Sequence, residues 1–363
     1  MRPGRPPAPA ADRRRTRGAG ALPGRAADLP LSRPKGITVP TYDELSTAAV
    51  PGAAWDVFGP GDQLGSINRL TPERVTAAAR LVRRGERFNL DYPVNAFEPY
   101  PTGTRRPTEH HVFANNPLHR DDWIDSFYLQ SSSQLDSLRH IGHPAHGFYG
   151  GLSADDNNQG STALGIHHWA EAGIAGRGVL LDVPRHFASE GRPYDCEQTI
   201  ALDETVLDAV AQAQGVSWRG GDMLLLRTGW AENYLAKSVE ERIEFNTRNR
   251  SPGLAQRESV LRWLWDHEIA LVAADNLAVE ADPVLDSDFR TPDDRPPPRG
   301  VDHSGMLHRP LIALLGMALG ELWKLDDLAA DCAADGVYEF FLTCKPLNLP
   351  GGVGSPPNAL AFK

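Results

Sequence analysis

Three short apolar runs set the strongest limit on what this chain can fold into. GVLLDV (178–183), MLLL (223–226) and IALVA (269–273) are each too short for an ordinary helix and apolar almost throughout. That is how strands covered on both faces read. Helical patterns lie between them: residues 203–213 run up to Gly215, and residues 256–266 place Val260, Leu261, Leu264 and Trp265 on one side. The alternation predicts an α/β architecture with its strands inside.

Thr71 before Pro72 and Glu73 is a helix start and Gly85 its stop. Val75, Ala78, Ala79 and Val82 give that helix an apolar face. Residues 311–319 read as helix-like and 336–343 as a strand. Residues 281–302 are polar and proline-rich without period, and so read as either a lid over a site or an inert insertion. A single domain is expected over residues 39–363.

Residues 1–35 carry nine basic residues, two acidic ones and seven prolines, a composition that buries no core. No apolar segment follows Arg13-Arg14-Arg15, so a secretion signal is not expected. Residues 1–38 read as a disordered leader, with a nucleic-acid or partner tail as the sharper alternative. The chain beyond residue 35 has 28 basic against 45 acidic residues, a net −17, which argues against nucleic-acid binding by the folded part. No apolar run approaches the ~20 residues of a membrane span. Three scattered cysteines (Cys196, Cys332, Cys344) suit a reducing, cytoplasmic setting.

The serine-hydrolase elbow G-x-S-x-G, the phosphate loop G-x-x-x-x-G-K-[ST] and the zinc-protease H-E-x-x-H are absent. Gly351-Gly352-Val353-Gly354 lacks a lysine and a following helix, so it reads as a loop of close backbone approach. The informative stretch is Gln130-x-x-x-Gln134-x-Asp136-x-x-x-His140. Residues 134 and 136 share one side of an extended segment, and Asp136 and His140 stand one turn apart if the chain becomes helical. This aims amide, carboxylate and imidazole groups at one cavity, although a hydrogen-bonded polar loop accounts for it equally. His140, His143 and His146 recur every three residues, but Gly142 and Pro144 argue against one helix carrying all three. Asp275-Asn276 follows a strand, the usual place for an α/β site, with Glu280 just beyond. Glu321, flanked by Met317, Leu319, Leu322 and Trp323, needs a partner, whether a cation, a metal or an arginine. Trp123, Phe127, Tyr128, Phe148 and Tyr149 either line an aromatic pocket or pack in the core.

The block LQSSSQLDSLRH (129–140) resembles the H-x-x-x-H-x-D-x-x-x-H signature of the cyclase family, which includes kynurenine formamidases and isatin hydrolases. GRGVLLDV (176–183), GDMLLLRTGW (221–230), ADNLAVEA (274–281), LHRPLIALLGMALGELW (307–323) and YEFFLTCKPLNLPGGVGSP (338–356) look like family landmarks in the expected order. The resemblance implies a swivelling β/β/α-type domain with a mixed sheet, assembled as a dimer or tetramer. It also implies a divalent metal, Mn or Zn, serving hydrolysis of a C–N or ester bond in a small aromatic carbonyl substrate. Such an arylformamidase-like activity belongs to tryptophan catabolism.

In the family's pattern the first two histidines and the aspartate bind metal. A later histidine and glutamate complete the site, and the last histidine of the signature handles protons. Asp136 matches the aspartate and His140 the last histidine, while His308 and Glu321 look like the later pair. Gln130 and Gln134 stand where the two histidine ligands belong, and a carboxamide is a poor zinc ligand. Two outcomes follow: a harder site on Asp136, His308 and Glu321 suited to Mn or Mg, or no metal. In the first, His140 relays a proton and the glutamines bond substrate or water. In the second, His140 with Asp136 is the base and Asn276 polarises the carbonyl. Trp123 and Phe148 are expected against the substrate in either. The alternative of another class is a small-molecule-binding protein that kept the fold without turnover.

Overall fold

The apolar runs become the middle of a nine-stranded mixed sheet. The computed structural model describes residues 39–291 and 294–363, so the leader expected over residues 1–38 lies outside the described residues. In chain order the strands are β1 (Arg87–Asn89), β2 (Glu109–Asn116), β3 (His119–Asp125), β4 (Gln134–Asp136), β5 (Ile174–Asp182), β6 (Ala201–Leu202) and β7 (Met223–Arg227). Then come β8 (Gly253–Leu254), β9 (Leu271–Ala274), β10 (Ala318–Glu321), β11 (Glu339–Cys344), β12 (Gly354–Ser355) and β13 (Ala359–Phe362).

The large sheet runs β1-β13-β11-β5-β7-β9-β10-β4-β12. Its centre, β5-β7-β9-β10, is parallel, and antiparallel strands flank it on both sides. Leu180, Leu181, Leu224, Leu225 and Val272 are fully buried, as parallel strands covered on both faces require. The helix Glu204–Ala213 begins where Asp203 accepts a hydrogen bond from Val206 N–H, and Glu258–Asp266 buries Val260, Leu261, Leu264 and Trp265 as its period predicts. This is the mixed α/β class the sequence implied.

Boundaries moved where local signals competed. The helix expected from Thr71 onward, Pro72–Ala79, is capped by Thr71 but ends well before Gly85, and Ala79 is exposed. The helix-like stretch over 311–319 is a correction. A π-helical turn, Arg309–Leu314, is broken by Gly316 at φ +64°, and residues from Ala318 enter β10. A continuous apolar run does not distinguish a buried helix from a buried strand. The strand over 336–343 starts later, at Glu339, because Gly336 is the left-handed cap of a helix, Asp326–Asp335, that the sequence reading passed over.

Candidate metal centre

Strand register assembles the site. β4 runs antiparallel to β10 with Gln134 opposite Glu321 and Asp136 opposite Leu319. Because side chains alternate, Gln134 and Asp136 share the face on which Glu321 stands. On the other side β12 sets Gly354 opposite Asp136. A Cβ on Gly354 would come within 2.7 Å of Gln130 Cγ, so the missing side chain leaves room for Gln130. His308 enters from the start of the π-helical turn.

Three of these side chains converge. His308 Nε2 lies 2.9 Å from Glu321 Oε1 and 3.9 Å from Asp136 Oδ2, all three residues being buried. One ligand atom from each lies within 4.8 Å of the others. On its far side His308 donates through Nδ1 to Glu280 Oε1 at 2.7 Å. Glu280 also accepts from the backbone N–H groups of Leu307 and His308 and from Gln256 Nε2. Asp136 Oδ1 accepts from Gln130 Nε2 at 2.5 Å, whereas Oδ2 is buried without a hydrogen-bond partner. A buried carboxylate oxygen left bare is costly. With a second carboxylate and an oriented imidazole beside it, the donor set fits a divalent cation.

The buried charges act strongly on one another, and an ion on His308 Nε2 would have to displace the proton that this nitrogen shares with Glu321. Burial raises the carboxyl groups of Asp136 and Glu321 above their ordinary range, and the charge of Asp136 raises Glu321 further. Burial works against the charged form of His308, yet its hydrogen bonds to Glu280 and Glu321 and their charges outweigh it and raise its pKa well above the usual value. His140 goes the other way. Burial, reinforced by the nearby positive charge of His308, pushes it down to about 4. Its Nε2 stands 3.8 Å from Asp136 Oδ2, and Gln130 Nε2 is 3.4 Å from both ring nitrogens.

Two participants escaped the sequence reading. Arg105 donates to Gln130 O, to the Tyr100 hydroxyl and, at 3.3 Å, to Gln134 Oε1. Occupying the amide oxygen of Gln134 turns its Nε2 toward Glu321 Oε2, to which it donates. Both glutamines thus hold carboxylates. His303 places its ring 6.4 Å from that of His140 and 5.6 Å from that of His308. Arg105 sits in an aperiodic loop, where spacing carries no signal; His303 directly follows the polar, proline-rich segment 281–302, which has no period either.

A cavity of about 360 Å³ opens above the cluster, lined by Tyr100, Arg105, His140, Leu277, Arg299 and His303 among others. Pro297, Arg299, Gly300 and Val301 of the polar segment belong to its wall. Three residues expected against the substrate lie elsewhere. Asn276 is fully buried and donates to Pro252 O and Glu280 O, bracing the turn that carries Glu280. Trp123 stands on the exposed β2–β3 hairpin, stacked on His111 at 4.0 Å. Phe148 packs against the core with its ring beside Gly142. None of the three lines the cavity. His143 and His146 stack on one another at 4.7 Å and do not join His140 in a metal site.

Fold and site together define a mixed α/β protein with a buried carboxylate–imidazole centre under a cavity. A family model described as "Putative cyclase" matches residues 88–281. The crystal structure of a novel cyclase is 32% identical and superposes with a TM-score of 0.73, covering 86% of this chain and 99% of its own. The chain belongs to the cyclase family. Isatin hydrolase A from Labrenzia aggregata, bound to benzyl benzoate, is 16% identical with a TM-score of 0.51 over 78% of this chain and 94% of its own. Isatin hydrolase A from Ralstonia solanacearum is 16% identical with a TM-score of 0.50, over 81% and 98%. These two likenesses concern the fold. No curated protein matches the chain. Among the described residues no helix is long and apolar enough to cross a membrane.

Proposed function

We propose that this protein is a hydrolase that opens a C–N bond (amide, formamide or lactam) or an ester of a small carbonyl compound, an aromatic one by preference. The observation that carries this is the bare Oδ2 of Asp136, facing His308 and lying 3.8 Å from His140 beneath a cavity of small-molecule size. Asp136, His308 and Glu321 would hold a divalent ion. Two carboxylates among three donors favour Mn over Zn. Bound there, such an ion supplies Lewis acidity, lowering the pKa of water from 15.7 toward about 7 and polarising a carbonyl oxygen.

The chain's own groups do the rest. His140 is held neutral by burial, so a ring nitrogen is free to take a proton from water and return it to the leaving nitrogen or oxygen. Gln130 and Gln134 fix the carboxylates of Asp136 and Glu321, and Arg105 fixes the orientation of Gln134. Tyr100, Leu277 and Met306 give the cavity apolar surface against which a ring can lie. The test is a turnover assay on formyl-anilides, lactams and lactones, with wild type beside His140→Ala. Hydrolysis of at least one class, cut about 10²- to 10⁴-fold in the variant with ligand affinity nearly kept, supports the proposal.

One observation favours a second reading. Each carboxylate already accepts a hydrogen bond from a glutamine amide, so the cluster is partly neutralised from within. A binding protein without turnover would need no more than that. Ligand binding with no hydrolysis of any of the three classes, in the presence of Mn or Zn, would favour it.

A further inference from the structure

The wall of the cavity carries a charge that the hydrolytic reading leaves unused. Arg299 lines the cavity from the polar segment and is exposed there. It forms no hydrogen bond and no ion pair with any described residue. Its own segment makes that unexpected, because residues 281–302 hold six aspartates against three arginines. The five aspartates among the described residues are engaged elsewhere. Asp286 and Asp288 pair with Arg257, and Asp294 pairs with Arg309 at 2.7 Å. Asp302 accepts from the Ser304 N–H, and Asp282, on the same cavity, accepts from Asn249 Nδ2. The other guanidinium of the cavity, Arg105, is taken up by Gln130, Gln134 and Tyr100. Among the described residues, Arg299 is the guanidinium of this cavity left without a partner.

Its setting is stiff. Pro296-Pro297-Pro298 lead into it, each ring holding its own φ. The Asp294–Arg309 pair anchors one end of this stretch and the Asp302–Ser304 contact the other. A backbone held in advance loses little freedom when its side chain takes up a ligand. The guanidinium fork matches a carboxylate, which accepts two parallel N–H bonds from it.

Charge decides which end of a ligand belongs at this wall. At the floor, positive charge is already committed to the carboxylates of Asp136 and Glu321. The chain beyond residue 35 is net −17, so an arriving anion meets repulsion from most of the surface. A cation at the mouth offsets that repulsion and turns the anionic end of the ligand away from the floor.

We propose that Arg299 is a specificity-determining residue that binds a carboxylate of the substrate. The preferred substrate is then a small carbonyl compound with a second, anionic carboxylate remote from the bond that is cleaved. This deepens the hydrolase reading and rests on it only for where the reacting carbonyl sits.

The test uses ortho-, meta- and para-formamidobenzoate, each beside its uncharged formamidobenzamide. Binding is read by titration calorimetry on the full chain with Mn present, in the His140→Ala background so that turnover does not interfere. Arg299→Gln and Arg299→Lys are compared with Arg299 in that background, and hydrolysis is followed separately with His140 intact. With Arg299 in place, at least one benzoate is expected to bind about 10- to 100-fold tighter than its benzamide. The preference vanishes in Arg299→Gln, survives in part in Arg299→Lys, and shrinks as salt is raised. Equal affinity for acid and amide, or no binding of either, would overturn the proposal, as would a preference that persists in Arg299→Gln. The two readings fail separately. A preference lost in Arg299→Gln with no pair hydrolysed supports the carboxylate site and counts against the hydrolase. Hydrolysis of acid and amide with equal KM and equal affinity keeps the hydrolase and overturns the carboxylate site.

Discussion

Glu280 accepts a 2.7 Å hydrogen bond from Nδ1 of His308, and this contact decides which nitrogen of the imidazole faces Asp136 and Glu321. Glu280 is itself pinned by two backbone N–H groups and Gln256, so the orientation is set before any ion arrives. Such outer partners govern ligand basicity and geometry.

Glu280→Gln keeps one acceptor for Nδ1 and removes the charge. We expect Mn affinity of the metal-free protein, read by titration calorimetry, to fall about 10- to 100-fold, with a stability loss of about 1–3 kcal/mol because the new amide nitrogen faces the Leu307 N–H and Gln256 Nε2 donors. An unchanged affinity would mean that His308 is not a ligand or needs no such support.

His140 acts as a base only when neutral. Burial lowers its pKa to about 4, so the neutral form prevails at and above pH 6. The expected profile of kcat/KM is flat from about pH 6 to 8 on the acid limb, and falls only as pH approaches 4. His140→Ala should cost about 10²- to 10⁴-fold in kcat. An acid limb near pH 6.5 that survives in His140→Ala would assign the base elsewhere.

Asp282 lines the cavity and titrates with the fold. Burial, assisted by the charge of Glu280, raises its carboxyl to about 6. An acid whose folded pKa is raised contributes stability below its unfolded value and loses it as pH rises toward the folded one. Asp282→Asn can still accept from Asn249 Nδ2. We therefore expect the variant to be more stable than wild type by about 1–3 kcal/mol at pH 8, and no more stable at pH 4. Thermal melts of metal-free protein at both pH values check this; a gain confined to pH 4 would reverse the sign.

Gly354 makes room for Gln130. In Gly354→Ala the new methyl meets Gln130 Cγ, so Gln130 must leave Asp136 Oδ1 or β12 must move. The expected cost is about 1–3 kcal/mol, with a drop in turnover. Full activity at full stability would show that Gln130 does not hold Asp136 in the working site.

Much of this was legible in the sequence, for identifiable reasons. Buried parallel strands leave continuous apolar runs, and Asp203 and Thr71 announce their helices chemically. The signature around Asp136 carried the resemblance to the family. What escaped depends on long-range contact. Arg105 reaches Gln134 across 29 residues from an aperiodic loop. Glu280 lies just beyond a strand's end, which the sequence shows, but its bond to His308 exists only through the tertiary fold. Trp123 was aromatic and near the motif, yet the hairpin carries it out to the surface, which sequence proximity does not reveal.

The central claim, a divalent ion on Asp136, His308 and Glu321, is tested most directly by elemental analysis of protein purified without chelator or a nickel-affinity step. The account predicts about one equivalent of Mn or Zn per chain, lost in Asp136→Ala and Glu321→Ala. Wild-type protein that carries no metal and takes none up on incubation with excess ion would contradict it.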